Sequence, residues 1–560
     1  MQRQALRLVL GGLVAFGLGT TLPVRAPATM HARSSSVSAR PGDVPMTHAR
    51  PLAQTPKSTC QPWSRPDEPV MVRSNAKNLG GFWLAGLRHG ISVMQKRADT
   101  DPTSWIYQAN MHGTNDPRNL PGWSSCQHGS YLFLAWHRMY VYFFERILRK
   151  ASTLPTLTLP YWDYTDPTAR ALPQPYRLPA DPNTNFLFIL QREPAINAGG
   201  TLPAESTSYD DAFSYTNFSA PNPQQHGIGG HLTNPSFGGP TATGPDHVGT
   251  LHGKFESVPH DAIHNLVGGR DGGYMAIVEL AARDPIFWAH HANIDRLWSK
   301  WIALGGGRVD PPSTDTVWQT TPFTFFDENG TCIVMTGSEI MNTVQQLNYK
   351  YDDEGTWAPT HPMTQTQTST PTRPATDAST ASRDATPGQT GSGGSGAPRI
   401  LAEAAPAGVQ LTGARQAVPM AIKDDQKSTV LAMAQGNAPT GQVALVLSGL
   451  DYEPGAYYTV YLNLADGEKA PSSTSPHFIG VLAPFSAKAH RGGSAGVTIQ
   501  FDLARVISAL TTQKLWKGDQ MTVTFVPGAV RRPNAPAQEE VTTAKVTIGR
   551  VQIVSAPSAG

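Results

Sequence analysis

Thiols are scarce in this chain: three cysteines, Cys60, Cys126 and Cys332, in 560 residues. So few exclude a disulfide-stapled scaffold. An odd number leaves one thiol in need of its own explanation. Net charge is nearly absent too, because 44 Lys plus Arg offset 42 Asp plus Glu to leave +2. That removes the electrostatic reason to expect nucleic acid or an acidic surface as a partner. Beyond the N-terminus, no window approaches the ~20 apolar residues of a spanning helix, so no stable membrane anchor is expected. Gly (52) and Pro (48) are plentiful, which points to many loops and turns. At ~100–200 residues per domain the length allows two to four domains.

Arg3 and Arg7 precede a mostly apolar run from Leu8 to Leu22, and Val24-Arg25-Ala26 offers a cleavage site. This is the pattern of a secretory signal peptide over residues 1–26, implying export to the periplasm or the exterior. Residues 27–60 are rich in Pro, Arg, Ser and Thr and are expected to be poorly ordered. Apolar residues recur at helical spacing in "GGFWLAGLRHGISVMQKR" (80–97) and more strongly in "SYLFLAWHRMYVYFFERILRK" (130–150). Helical patterns return near 259–267 and 284–303, after a long irregular loop over 215–250. Residues 359–398 are almost purely Thr, Ser, Pro, Gly and Ala and read as a linker. Short alternating runs follow, among them "QVALVLSGL", "YYTVYLNLAD", "AGVTIQFDL" and "QMTVTFVPG". The expected architecture is a mainly α domain over 61–355, a linker over 356–400 and an antiparallel β-sandwich over 401–560.

The chemistry lies in the histidines. His260 and His264, in "FESVPHDAIHNLVGG", stand four apart and share one helical face. His137 lies among Leu134, Trp136, Tyr140 and Phe144, where a ring nitrogen without a partner costs free energy. His128 precedes it by nine residues, and His112 lies further upstream in "YQANMHGTND". In "DPIFWAHHANIDRLW" (284–298) His290 and His291 are adjacent and point about 100° apart, so only one is expected to serve a given site. Both share apolar stripes, and spacing does not choose between them. Two triplets of imidazoles without a thiolate suit copper, zinc, iron or nickel, and residue chemistry alone stops at a His-rich dinuclear centre.

Two long motifs go further. "HGSYLFLAWHRMYVYFFE" (128–145) and "DPIFWAHHANID" (284–295) resemble, in order, the two copper signatures of the tyrosinase family. These are the type-3 copper proteins that include polyphenol oxidases and hemocyanins. "LPYWDYT" (159–165), "GGYMAIVELAARDP" (272–285) and "YKY" (349–351) are similar to family segments as well. The resemblance implies a four-helix bundle holding two copper ions, one on His112, His128 and His137, the other on His260, His264 and His291. The signature's three-residue gap to Asp295 is what selects His291. Asp295 is then expected to anchor that ligand, and His290 to be a pocket-side or packing residue.

Further roles follow from the same resemblance. Cys126, in "CQH", stands where many members join a cysteine to the second ligand, here His128, by a thioether. Cys60 and Cys332 are then left to pair, which export permits and spacing does not establish. Glu256 and Asp261 match positions that hold an activated water. Val278 matches the residue over the copper at the entrance, and Asn265 is a pocket-wall candidate. Glu145 is expected to buttress the bundle by ion pairing, and His252 is left outside the ligand set. The implied activity is O₂-dependent ortho-hydroxylation of monophenols and oxidation of o-diphenols to o-quinones, with small phenols as substrates. Catechol oxidase, an oxygen carrier of the hemocyanin kind and a zinc hydrolase built on "HDAIH" are the alternatives. The C-terminal runs are similar to the domain that covers the active site in plant polyphenol oxidases. The linker is then the natural target of an activating protease, and the sequence does not name a plugging residue.

Overall fold

A computed structural model describes residues 60–222, 232, 235–247, 249, 251–357, 398–437, 441–465, 467–468, 472–485, 497–516, 520–534 and 544–556. The expected signal peptide, the segment 27–59, most of the expected linker and part of the 215–250 loop lie outside the described residues. From Cys60 onward, the helical and strand-rich parts belong to one compact unit.

Five helices frame the first part: α1 (Gly81–Gln95), α2 (Trp105–His112), α3 (Leu132–Ser152), α4 (Ala262–Gly268) and α5 (Pro285–Ala303). In α3 only Arg146, Arg149 and Lys150 escape burial. A helix apolar on nearly all sides belongs at the centre of its domain. Its basic last turn faces the negative end of the helix dipole, and Thr153 closes it in the left-handed region at φ +58°. Local chemistry also sets the starts of α2 and α5. The Ser104 hydroxyl accepts the Tyr107 N–H at 3.1 Å, and Asp284 accepts the Ile286 N–H at 3.0 Å with Pro285 in the first turn. Before α4, residues Glu256–Asp261 form a π-helical turn broken at Val258 (φ −144°, ψ 122°) and Pro259. Proline cannot continue the hydrogen-bond ladder, and such turns recur at functional sites.

A buried ionic knot ties these elements together. Arg73, on the short strand Met71–Arg73, is fully buried and pairs with Glu145 of α3 at 2.8 Å and Asp295 of α5 at 3.2 Å. Arg138 of α3 pairs with Asp295, which also accepts hydrogen bonds from the Tyr349 and Tyr351 hydroxyls. Glu145 thus does buttress the bundle. Asp295 makes its bonds to these four partners rather than to the His291 ring. Cys60 and Cys332 form a disulfide, beside the pairing of Gln61–Pro62 with Ile333–Val334.

The C-terminal part is an antiparallel β structure with nine strands among the described residues. They are β1 (Arg399–Glu403), β2 (Val409–Leu411), β3 (Gln416–Ile422), β4 (Gln442–Tyr452), β5 (Tyr458–Leu462), β6 (Phe478–Leu482), β7 (Val497–Asp502), β8 (Met521–Pro527) and β9 (Val546–Ala556). Their order is β6-β5-β8-β3-β1-β9-β4-β7, with β2 on β9. The strand β3 pairs β8 through residues 416–420 and β1 through residues 421–422, so it joins the two runs of strands into one sheet that curls toward a near-barrel. The inward alternation of Leu445, Leu447, Ile548, Val551 and Ile553 builds a core separate from that of the helices. Two helices not anticipated from sequence, α6 (Lys427–Ala434) and α7 (Ala504–Thr512), pack on it.

The two parts touch directly. Thr201 and Arg531 exchange backbone hydrogen bonds at 2.9 and 3.0 Å. Among the described residues no helix is long and apolar enough to cross a membrane.

Candidate metal centre

The six expected histidines converge between α2, α3, α4 and α5. His112 is the last residue of α2, His137 lies early in α3, and His128 sits on the turn that leads into it. The π-helical turn supplies His260, and α4 and α5 supply His264 and His291. Candidate ligating nitrogens of His112, His128 and His137 lie within 4.8 Å of one another, as do those of His260, His264, His290 and His291. The His291 ring bridges the sets. It stacks on His137 with centroids 4.5 Å apart, and its Nε2 is 3.3 Å from Nε2 of His264.

One nitrogen of most of these rings is held by the protein. Nδ1 of His112 donates to the Val278 carbonyl at 2.9 Å, that of His137 to Phe133 at 2.8 Å and that of His264 to Met275 at 2.8 Å. Val278 therefore enters the site through its carbonyl. Nδ1 of His260 meets the Asp261 carboxylate at 2.8 Å. These bonds orient the rings and leave Nε2 facing inward. The Nε2 atoms of His112, His128, His137 and His260 are buried and have no hydrogen-bond partner, an arrangement that is costly unless something else takes the lone pair. Burial, first, and the neighbouring imidazoles hold His128, His260, His264 and His291 well below the ordinary histidine range, and burial brings His112 down to about 3. Neutral imidazoles with free, inward Nε2 atoms are the donor set that copper accepts.

Beside the second set lies an acidic pair with a further histidine. Nδ1 of His252 is 2.6 Å from Oδ2 of Asp261 and 3.8 Å from Oε1 of Glu256. Both Glu256 oxygens accept the Gly129 N–H, at 2.9 and 3.1 Å. Gly129 has φ +68°, and a Cβ there would lie 2.4 Å from the Gly249 carbonyl carbon, so the chain after His128 passes where only glycine fits. Burial raises Glu256 above the usual carboxylate range, opposed by His252. For His252, burial pulls downward, but Glu256 and Asp261 outweigh it and raise the ring to about 9. His252 and Glu256 stand four residues apart, a spacing that could have joined them, whereas the link from His252 to Asp261 runs across the break at Val258 and Pro259.

Cys126 is buried and outside any disulfide, with Sγ 3.3 Å from Nδ1 of His128. Nδ1 of His247 lies 3.2 Å from the same sulfur. His247 also went unnoticed in the sequence, where it stands 121 residues from Cys126.

The strand-rich part reaches the centre. Phe485 is 1 % exposed and stacks on His264 at 4.0 Å, with its ring 5.7 Å from His260 and 6.0 Å from His128. Asn265 clasps the same segment, donating from Nδ2 to the Pro484 carbonyl at 3.1 Å and accepting the Gly455 N–H at 3.3 Å. A cavity of about 250 Å³ opens beside it, lined by His252, Asp261 and Lys254 on one side and by Pro484, Phe478 and Arg505 on the other.

Residues 102–304 match the family described as the common central domain of tyrosinase, and residues 313–363 the polyphenol oxidase middle domain. Residues 400–556 match a domain of unknown function. The chain is 27 % identical over 532 residues to tyrosinase HcTyr1 of Hahella sp. (strain CCB-MM4), covering 87 % of this chain and 99 % of that one. It is 31 % identical over 394 residues to a chloroplastic polyphenol oxidase of Vitis vinifera, covering 66 % of this chain and 62 % of the relative. The solved structure of a latent aurone synthase, a polyphenol oxidase, superposes with a TM-score of 0.54 at 21 % identity. It covers 89 % of this chain and 92 % of that one, and at this identity it speaks to the fold. Both copper signatures lie on converging helices, and residues 102–304 form a central domain of the tyrosinase kind whose two histidine sets could hold two copper ions.

Proposed function

We propose that this protein uses O₂ to hydroxylate monophenols at the ortho position and to oxidise o-diphenols to o-quinones, and that its own C-terminal part keeps it latent. The observation that carries the reading is the pair of adjoining, buried, all-imidazole sets with their Nε2 atoms turned inward. His112, His128 and His137 would hold one copper, and His260, His264 and His291 the other. Copper in these sets supplies O₂ binding and the electron transfer that oxidises the phenol. The protein's own residues exclude water, orient the rings and manage protons. A free phenol has a pKa near ~10, so a proton acceptor near the second set assists hydroxylation. We assign that task to Glu256, with Asp261 beside it. Phe485 occupies the place an aromatic substrate would take against His264, and Asn265 would form the pocket wall that it clasps. Val278 would border the entrance.

A second reading, catechol oxidase, has its own support. Both Asp261 oxygens are already engaged, one by His260 and one by His252, and a carboxylate so engaged is a poorer partner for an activated water. Oxygen uptake with tyrosine and with a catechol, before and after limited proteolysis, separates the readings. Oxidation of both substrates, faster after cleavage, is the expected result. Turnover of catechol alone by cleaved, copper-loaded protein leaves catechol oxidase.

We also propose the thioether between Cys126 and His128. Its formation replaces the thiol S–H and a ring C–H by a C–S bond, with O₂ as the oxidant. Intact-mass measurement on copper-loaded protein should find two hydrogens fewer than the disulfide alone explains, and a Cys126→Ser variant should show no such deficit. An unmodified Cys126 tryptic peptide would refute the bond.

A further inference from the structure

We propose that His252 is a positioning residue. It holds the Asp261 carboxylate on Nδ1 of His260 and so fixes the orientation and basicity of one imidazole of the second set. The inference rests on the reading that this set holds copper.

The ring-holding bonds are not alike. His112, His137 and His264 each lean on a main-chain carbonyl, which the fold fixes in place. His260 alone leans on a carboxylate, and that carboxylate belongs to the next side chain. A carboxylate draws the imidazole proton more strongly than a carbonyl does and raises the basicity of the opposite nitrogen. Asp261 can do this only if its side chain is prevented from turning away. It is 3 % exposed, and its second oxygen meets Nδ1 of His252 at 2.6 Å. One carboxylate is thus shared between two imidazoles, one oxygen to each.

His252 is itself held firmly. A Cβ on the adjacent Gly253 would lie 2.5 Å from the backbone of Gly238 and Gly239, so the segment is pressed against a crossing strand of chain. Glu256 approaches the same ring nitrogen through Oε1 at 3.8 Å, and both its oxygens accept the Gly129 N–H. The chain His260, Asp261, His252, Glu256, Gly129 therefore runs from the second set to the residue after His128 in the first. No bond in it depends on the metal.

The test follows copper release from the full-length, copper-loaded protein into excess chelator. The wild type is expected to carry two coppers per chain. His252→Leu should release one copper ~10- to 100-fold faster, the range in which loss of a ligand's supporting partner falls, while the other leaves at the wild-type rate. His252→Gln keeps an N–H for Asp261 and should restore most of the loss, which a folding defect would not allow. Asp261→Ala should match His252→Leu, and the double variant should be no faster than Asp261→Ala alone. The proposal is overturned if His252→Leu releases both coppers at the wild-type rate, or speeds both equally. It is overturned too if the two substitutions multiply in the double variant. A third equivalent of copper, lost on His252→Leu, would instead make His252, Glu256 and Asp261 a cation site, since their ligand atoms lie within 4.8 Å of one another. A wild type that binds no copper would refute the underlying reading, and is distinct from all of these results.

Discussion

His291→Ala is expected to lose one of the two coppers and all phenol oxidation, whereas His290→Ala keeps both coppers and retains activity. The two rings are neighbours on α5, and both lie within ligand distance of His260 and His264. What separates them is the second axis of the site. The His291 ring faces both sets, stacked on His137 at 4.5 Å and 5.0 Å from His260. The His290 ring lies 5.0 Å from His264 and 5.5 Å from His260, and turns its other side to Tyr164 at 5.6 Å. A dinuclear centre needs its ligands to surround the space between the sets, and of the two histidines it is His291 whose ring meets rings of both. His290→Ala leaves a cavity and should lower the melting temperature, yet it removes no nitrogen from that space. Copper analysis of the two variants decides the matter. A His290→Ala protein with one copper and a His291→Ala protein with two would show that the motif has been read one residue out of register.

Residues joined by local spacing were legible in the sequence. His260 and His264 at four apart, the apolar stripe of α3 and the helical pattern near 284–303 each follow from helix geometry over a few residues. The alternating strands after residue 440 were legible for the same reason. The first three strands and the helices α6 and α7 were not: β2 has only three residues, β3 carries Pro419 in its middle, and the helices owe their form to the sheet they pack on. Asp295 was readable as a residue near His291, but not as the centre of a knot with Arg73 and Arg138, 222 and 157 residues away. His252, His247 and Phe485 share that difficulty. His247 and Phe485 acquire their neighbours from a loop crossing and a domain contact, whereas His252 reaches Asp261 only across the helical break at Pro259.

Phe485→Ala in the uncut chain is expected to raise catechol oxidation by ~30- to 1000-fold without proteolysis. Burying a phenylalanine side chain stabilises a docked state by roughly 1.5–3 kcal/mol, and stacking on an aromatic partner such as His264 adds about 0.5–1.5 kcal/mol. The two together come to roughly 2–4.5 kcal/mol, and every 1.4 kcal/mol is a factor of about ten in the population of the open state, so removal of the ring should release about one and a half to three decades of rate. The ring also fills the space against His264, His260 and His128, so alanine opens room for substrate even where the domains stay together. The clasp from Asn265 to Pro484 and Gly455 remains in this variant, which explains why cleavage in the linker should still add to the rate. After cleavage and separation, the wild type and Phe485→Ala should be indistinguishable, because the residue is then absent from the catalytic part. Equal rates before cleavage would assign the C-terminal part to stability, and a slower uncut variant would mean that Phe485 supports the site it touches.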